Sequence, residues 1–255
     1  MIGIFKEKIG TIPVLTVLDT KYENKPLPVV TYFHGFTSAK EHNLPLAYLL
    51  AEKGFRVLLP DCDLHGEREQ DVTREQKLLA FWNIIFKNIQ ELETMKEYLD
   101  QNGLIWNDQF GIAGTSMGGI TTAAALTKYP WIKAAAILMG SPKLTEFAEL
   151  AVNEFKKAYK LPVTDEELNA LYRELEQFDL SRKPETLNDR PLLFWHGEND
   201  SVVPYQHAAS FYEETADLYK NKKHIQMISE PNRDHKVSRE AILKTADWFD
   251  TYLIR

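Results

Sequence analysis

A single cysteine, Cys62, stands in 255 residues, so no internal disulfide can brace the chain and a disulfide scaffold is excluded. Long apolar runs are missing. The longest span six residues, at Leu46–Ala51 and Ala134–Met139, far short of the ~20 that a membrane-crossing helix needs. There is no excess of positive charge either. Lys and Arg total 30 against 37 Asp and Glu, a formal net charge of −7, which leaves no electrostatic footprint for nucleic acid or an anionic membrane. The opening residues, MIGIFKEKIG, lack the apolar centre of a signal peptide. Repeats, low-complexity tracts and long charge runs are absent, so no linker is marked. What is present is material for a large core. Hydrophobic residues make up 44% of the chain and aromatics 11%, which excludes disorder as the main state. At roughly 100–200 residues per domain, this length predicts one domain, or one domain with an insertion. The expectation is a soluble, cytoplasmic globular protein, and no pattern in the sequence encodes an oligomeric state.

Short β-rich runs alternate with longer helical patterns. Thr11–Leu18 and Val29–Phe33 are β-branched and aromatic, separated by a Pro-bearing turn. Phe55–Leu59, Phe110–Ala113, Ile132–Met139 and Leu192–Trp195 are short, largely apolar runs that end at Pro, Gly or Ser, and His224–Ser229 is the last strand candidate. Runs of this kind come from strands buried on both faces, as in a parallel sheet. Between them, Glu41–Lys53 ends at the helix-stopping Gly54, and Thr73–Gln101 reads as one long helix with Leu78, Phe81, Trp82, Ile85, Ile89, Leu92, Met95 and Leu99 near helical spacing. Ala208–Tyr219 and a stripe through Val237, Ala241, Thr245, Phe249 and Leu253 add two more helices. The alternation predicts an α/β fold with a mostly parallel central sheet flanked by helices. The 50 residues from Ser141 to Arg190 exceed what a βαβ crossover needs. They carry two amphipathic helical patterns, the second opened by the capping box Thr164–Glu167. They are expected to form a small helical cap over one end of the sheet, the alternative being two ordinary sheet-covering helices.

Gly114-Thr115-Ser116-Met117-Gly118-Gly119 follows one strand run and precedes an alanine-rich helical stretch. A serine on a sharp strand-to-helix turn needs small residues two positions either side, because the backbones approach closely there; the turn lifts the hydroxyl clear of the sheet. Such a hydroxyl is a weak nucleophile until a histidine takes its proton and a carboxylate holds the imidazole. In open α/β sheets these partners belong in loops beyond the carboxyl ends of later strands. Asp200 lies in such a loop, His196–Pro204, with Glu198 as the competing carboxylate. Of seven histidines, His235 alone falls in a loop after a late strand and before the closing helix. The oxyanion of a tetrahedral intermediate needs N–H donors. Met117, next after the serine, and Phe36, in the loop His34-Gly35-Phe36 after Val29–Phe33, are placed to supply them. Phe36 is also a candidate to cover an acyl pocket, with His65 on its rim and Trp82, otherwise helix core, reaching into it. Asp61, Cys62, Asp63 and His65 match no metal-ligand spacing, and the aspartates fit turn chemistry, so no metal or other cofactor is expected.

Together HGFTSAKE, PDCDLHGER, GTSMGG, HGENDSVVP and the Asp234-His235 pair give the chain a resemblance to the α/β-hydrolase superfamily over nearly its whole length. Within it the chain resembles small bacterial carboxylesterases and the catalytic domains of the prolyl-oligopeptidase-like and dienelactone-hydrolase-like branches. The order Ser116, Asp200, His235 is the order that superfamily uses. The resemblance implies hydrolysis of short- to medium-chain acyl esters through an acyl-enzyme on Ser116, with a small-molecule ester as the partner. The chain departs from dienelactone hydrolases, which carry cysteine where Ser116 stands, and its length leaves no room for the gating domain of full prolyl oligopeptidases. A peptidase, thioesterase or acyl-transfer activity on the same residues is the alternative within enzymes. A non-catalytic hydrolase-like binding protein is the alternative outside them.

Overall fold

A computed structural model describes residues 1–160 and 162–254. Eight strands, β1 (Ile2–Ile9), β2 (Ile12–Asp19), β3 (Leu27–Phe33), β4 (Arg56–Pro60), β5 (Ile105–Thr115), β6 (Ala134–Leu138), β7 (Leu192–Gly197) and β8 (Ile225–Glu230), form one sheet. Its order is β1-β2-β4-β3-β5-β6-β7-β8. From β4 to β8 every neighbour is parallel, and β1 and β2 close one edge antiparallel. The helices are α1 (Leu44–Glu52), α2 (Arg74–Leu79), α3 (Phe81–Gln101), α4 (Met117–Lys128), α5 (Leu144–Ala158), α6 (Asp165–Phe178), α7 (Tyr205–Ala216) and α8 (Arg239–Phe249). Among the described residues no helix is long and apolar enough to cross a membrane.

Both faces of the sheet are covered, which is why its strands read as largely apolar runs. In β5, Ile112 joins one core, built with Ile85, Ile89 and Leu92 of α3, Ile120 of α4 and Phe211 of α7. Its neighbour Ala113 joins the other, built with Leu46 and Leu50 of α1 and Ala241 and Phe249 of α8. The mostly parallel α/β expectation holds. Strand β1 escaped the sequence reading because it is an outer strand with one wet face: its burial alternates, and Lys6, Glu7 and Lys8 break any apolar run. The helix expected across 73–101 is two. Thr73 and Gln76 cap α2 reciprocally, and the chain turns at Ala80, so that Phe81 and Trp82 head α3.

Residues 141–190 hold α5 and α6, which pack on each other, with α6 also against α4. Burial is confined to their roots. Leu144, Thr145, Phe147 and Ala148 are buried at the start of α5, and Leu175 near the end of α6. Phe147 meets the rings of Phe81 and Trp82 at 6.3 and 6.2 Å, and Phe178 meets Phe86 at 5.5 Å.

An ionic cluster ties together the loops that follow β3 and β4. The side chains of Lys40 and Asp61 are both fully buried, with Lys40 Nζ 2.6 Å from Asp61 Oδ2. Asp61 also accepts the main-chain N–H groups of Lys40 (3.0 Å) and Glu67 (2.9 Å). Burial by itself would lower the lysine's pKa, but its bonds to Asp61, Glu67 and Glu41 hold it above the usual value. Gly66, at φ +55°, sits where a Cβ would lie 2.1 Å from Asp61 Oδ1, so only glycine lets the loop close over the carboxylate. Breaking a buried pair leaves an uncompensated charge. Lys40→Ala is therefore expected to destabilise the fold by about 3–5 kcal/mol, measured as the shift of the urea unfolding midpoint.

Candidate active site

The loops at the carboxyl ends of β3, β4, β5, β7 and β8 meet over the middle of the sheet. Strand β5 delivers Ser116 at φ 54° and ψ −114°, a backbone conformation that a non-glycine residue holds only when its surroundings enforce it. The enforcement is steric and local. A Cβ on Gly118 would lie 2.0 Å from the Phe33 carbonyl oxygen, so the first turn of α4 rests directly on the β3 backbone. The Ser116 N–H donates to Leu138 O at 2.9 Å, which fastens the turn to β6. The Ser116 hydroxyl stands at the head of α4, where the first N–H groups have no carbonyl partner within the helix.

His235 lies between Ser116 and Asp200. Its Nδ1 is 2.7 Å from Asp200 Oδ2 and its Nε2 is 2.9 Å from Ser116 Oγ. A carboxylate can only accept, so Nδ1 carries the proton and Nε2 is free to accept the serine hydroxyl. The Asp200 side chain is fully buried. Burial pushes its pKa up, but donors from His196, His235 and the main-chain N–H groups of Val202 and Val203 outweigh that and hold it well below the usual carboxylate range. Ser116, Asp200 and His235 are thus brought together. Glu198, the rival carboxylate, is not part of this chain of bonds; its N–H donates to Glu230 O.

Met117 occupies the first position of α4 and Phe36 the loop after β3. That loop is pinned on both sides of Phe36. His34 gives its Nδ1–H to Gly35 O (2.8 Å) and takes the Cys62 N–H on Nε2 (3.0 Å). His65 gives its Nδ1–H to Asp63 O (2.7 Å) and takes the Thr37 N–H on Nε2 (3.0 Å). His65 is 2% exposed with both ring nitrogens engaged, so it braces the loop, and its ring lies 5.3 Å from that of Phe36. Trp82 is buried in the core stripe of α3 with Ile85 and Ile89, its ring 6.2 Å from that of Phe147, and Phe81 is the half-buried ring between Phe36 (5.7 Å) and Phe147 (6.3 Å). Helical spacing marked both Phe81 and Trp82 as apolar but could not say which one faces the cleft. Phe147 was visible only as part of an amphipathic pattern. Cys62 is buried, which raises its thiol pKa. Among the described residues no group of three or more His, Cys, Asp or Glu converges as a metal site would.

A nucleophile with a bonded imidazole, a buried carboxylate behind it and helix-terminal N–H groups beside it can carry out acyl transfer. The comparisons with known proteins agree in fold and lineage. The family model described as the prolyl oligopeptidase family matches residues 45–254. The chain is 45% identical over 255 residues to "Putative esterase YitV" of Bacillus subtilis (strain 168), covering 99% of this chain and 100% of that one. It is 29% identical over 257 residues to "Esterase YjfP" of Escherichia coli (strain K12), again covering 99% and 100%. Among solved structures, TT1662 from Thermus thermophilus superposes with a TM-score of 0.77 at 21% identity, over 100% of this chain and 99% of that one.

Burial lowers the pKa of His34 from 6.5 to about 4, so the unfolded chain binds this proton more tightly than the folded one. The linked stability is whole above pH ~6.5 and is lost as pH falls toward 4. Between those limits the wild type should lose roughly 3 kcal/mol more unfolding free energy than His34→Gln. Urea titrations of both proteins across that range provide the check; parallel profiles would contradict it.

Proposed function

We propose that this chain, which belongs to the prolyl oligopeptidase family, is a serine esterase whose reacting groups are Ser116, His235 and Asp200. The observation that carries the reading is the continuous pair of hydrogen bonds from Ser116 Oγ through His235 to a buried Asp200, with the serine held at positive φ on the turn into α4. The esterase names of the relatives from B. subtilis and E. coli, each matched over its whole length, support ester hydrolysis.

In this reading Ser116 Oγ attacks the ester carbonyl while His235 Nε2 takes its proton. Asp200 keeps the imidazole in the tautomer that can accept it and stabilises the imidazolium. The N–H groups of Met117 and Phe36 hold the oxyanion, each donor contributing on the order of 10²–10³ in kcat. Collapse of the intermediate returns the proton from His235 to the leaving alkoxide and leaves an acyl-Ser116, which water hydrolyses by the same steps in reverse roles. Phe36, Phe81 and Phe147 form an arc of rings that fits the apolar acyl chain of a small ester. Residues 141–190 act as a small helical cap on a single hydrolase domain, contributing Phe147 to that arc from the root of α5. The family's description favours one second reading, cleavage of amides on the same residues. A panel of p-nitrophenyl esters of increasing chain length set against prolyl and aminoacyl amides separates the two.

Ser116→Ala should lower kcat for a short p-nitrophenyl ester by on the order of 10⁴ or more while the protein stays folded; turnover near that of the wild type would overturn the assignment. The histidine is tested apart from the serine. His235→Ala should abolish labelling of Ser116 by a fluorophosphonate, whereas His224→Ala should label normally, because the His224 ring is committed to Asp189 at 2.9 and 3.1 Å.

A further inference from the structure

We infer that His196 is a positioning residue for the Ser116–His235–Asp200 system: its ring N–H fixes the Asp200 carboxylate so that one lone pair of Oδ2 is left for His235. This rests on the reading of those three residues given above and goes beyond it to a fourth side chain.

His196 lies in β7, in register with Ser229 of β8, so its backbone is part of the sheet and not of the loop that carries Asp200. Its side chain is 1% exposed. Nε2 is 3.1 Å from Asp200 Oδ2 and 3.0 Å from Val203 O. Both of those atoms can only accept, so Nε2 carries the hydrogen and shares it between them. Nδ1 is then a bare nitrogen, and it is buried with no hydrogen-bond partner. A buried polar atom without a partner costs free energy. A leucine or phenylalanine would fill β7 without that cost, so packing alone does not account for an imidazole here.

What the imidazole adds is visible at Asp200. Oδ1 accepts from Val202 N and Val203 N at 2.9 Å each. Oδ2 accepts from His196 Nε2 and His235 Nδ1. Each carboxylate oxygen has two lone pairs, so all four are assigned and the carboxylate has no freedom to turn. Without His196, Oδ2 would keep one anchor instead of two, and that anchor is the catalytic imidazole, which must itself stay aligned on Ser116. The groups facing His196 are Asp200 on its own loop, Tyr205 at a ring distance of 5.9 Å and His207, both on α7, and His235 across the shared carboxylate. None of these other than Asp200 can take the Nε2 hydrogen in the observed geometry.

The donor can be removed or kept by choice of amide. The Asn side chain reaches about as far as Nδ1 and drops the Nε2 donor, whereas Gln places an N–H near the Nε2 position. His196→Asn is expected to lower kcat/KM for a p-nitrophenyl ester on the order of tenfold. A less saturated Asp200 attracts the imidazolium of His235 more strongly, so the acid limb of the kcat/KM–pH profile should move to higher pH. His196→Gln should stay within a few-fold of wild type with its limb in place. Equal losses in both variants with an unmoved limb would show a packing role only and overturn the inference, as would wild-type behaviour in His196→Asn. Should His196→Asn not fold, His196→Phe serves as the donorless variant. If neither folds, proton NMR of the wild type beside His196→Gln decides. An exchange-protected imidazole N–H lost in His196→Gln supports the inference, and its absence overturns it. Asp200→Asn is run alongside: if it retains wild-type turnover, the underlying reading fails and this one with it. If it collapses while His196→Asn does not, only the positioning role is overturned.

Discussion

Everything at the site hangs on the contact between the first turn of α4 and the end of β3. Gly118 lies against the Phe33 carbonyl so closely that no Cβ fits between them, and Gly114 is as close to Gly118. That approach pulls α4 hard onto the sheet and forces the chain at Ser116 through a left-handed turn. The strain has a use. It points the serine away from the sheet, toward the loops that follow β7 and β8, and leaves the unpaired N–H groups of the α4 terminus beside it. It also sets the scale of tolerance for the rest of the site, because an outlier of this kind costs of order 1–3 kcal/mol and persists only under a rigid surround.

The rigid surround is built largely from histidines. His34 and His65 each donate from one ring nitrogen to a carbonyl and accept a main-chain N–H on the other, a pair of functions that no aliphatic and few polar side chains combine. They lace the loop carrying Phe36 to the loop after β4, where Lys40 and Asp61 add a buried charge pair. Thr37, the residue whose N–H His65 accepts, sits at φ 63°, so the bracing falls where the backbone most needs it. The price of this arrangement is sensitivity to acid, since a protonated imidazole has no acceptor left.

Three serine–histidine contacts occur among the described residues, and physical context separates them. Ser38 faces His42 at 3.0 Å and Ser141 faces His207 at 2.8 Å. Ser38 lies in the loop after β3, and among the described residues no carboxylate bonds the far nitrogen of its His42. Ser141 also bonds Lys143 O and Lys143 N, which makes it a turn cap, and Glu146 stands 4.0 Å from His207, beyond hydrogen-bond reach. Among the described residues only Ser116 combines a helix N-terminus, an imidazole and a buried carboxylate bonded to that imidazole. A pairwise contact is common; the ordered three-residue chain on a strained turn is not.

How much of this the amino-acid order determined by itself depends on the range of the interaction. The elbow around Ser116, the loops carrying Asp200 and His235, and the parallel core strands were legible because each is a local pattern: small residues at fixed offsets, apolar runs closed by turn residues, and an order along the chain. Strand β1 was hidden, since an outer strand with one wet face alternates with charges and resembles a loop. The break at Ala80, the inward turn of Trp82 in place of Phe81, and the use of His65 as a brace were decided by packing between segments far apart in sequence. The contact of His196 with Asp200 belongs to the same class. The two are four residues apart, but one lies in the sheet and the other on a loop folded back upon it, and that return is made by Val203, which is buried in the core. Local sequence sets backbone geometry and supplies the reactive groups. Which side chain meets which carboxylate is fixed only when the layers close, because directional bonds of about 3 Å depend on positions that no short-range preference controls.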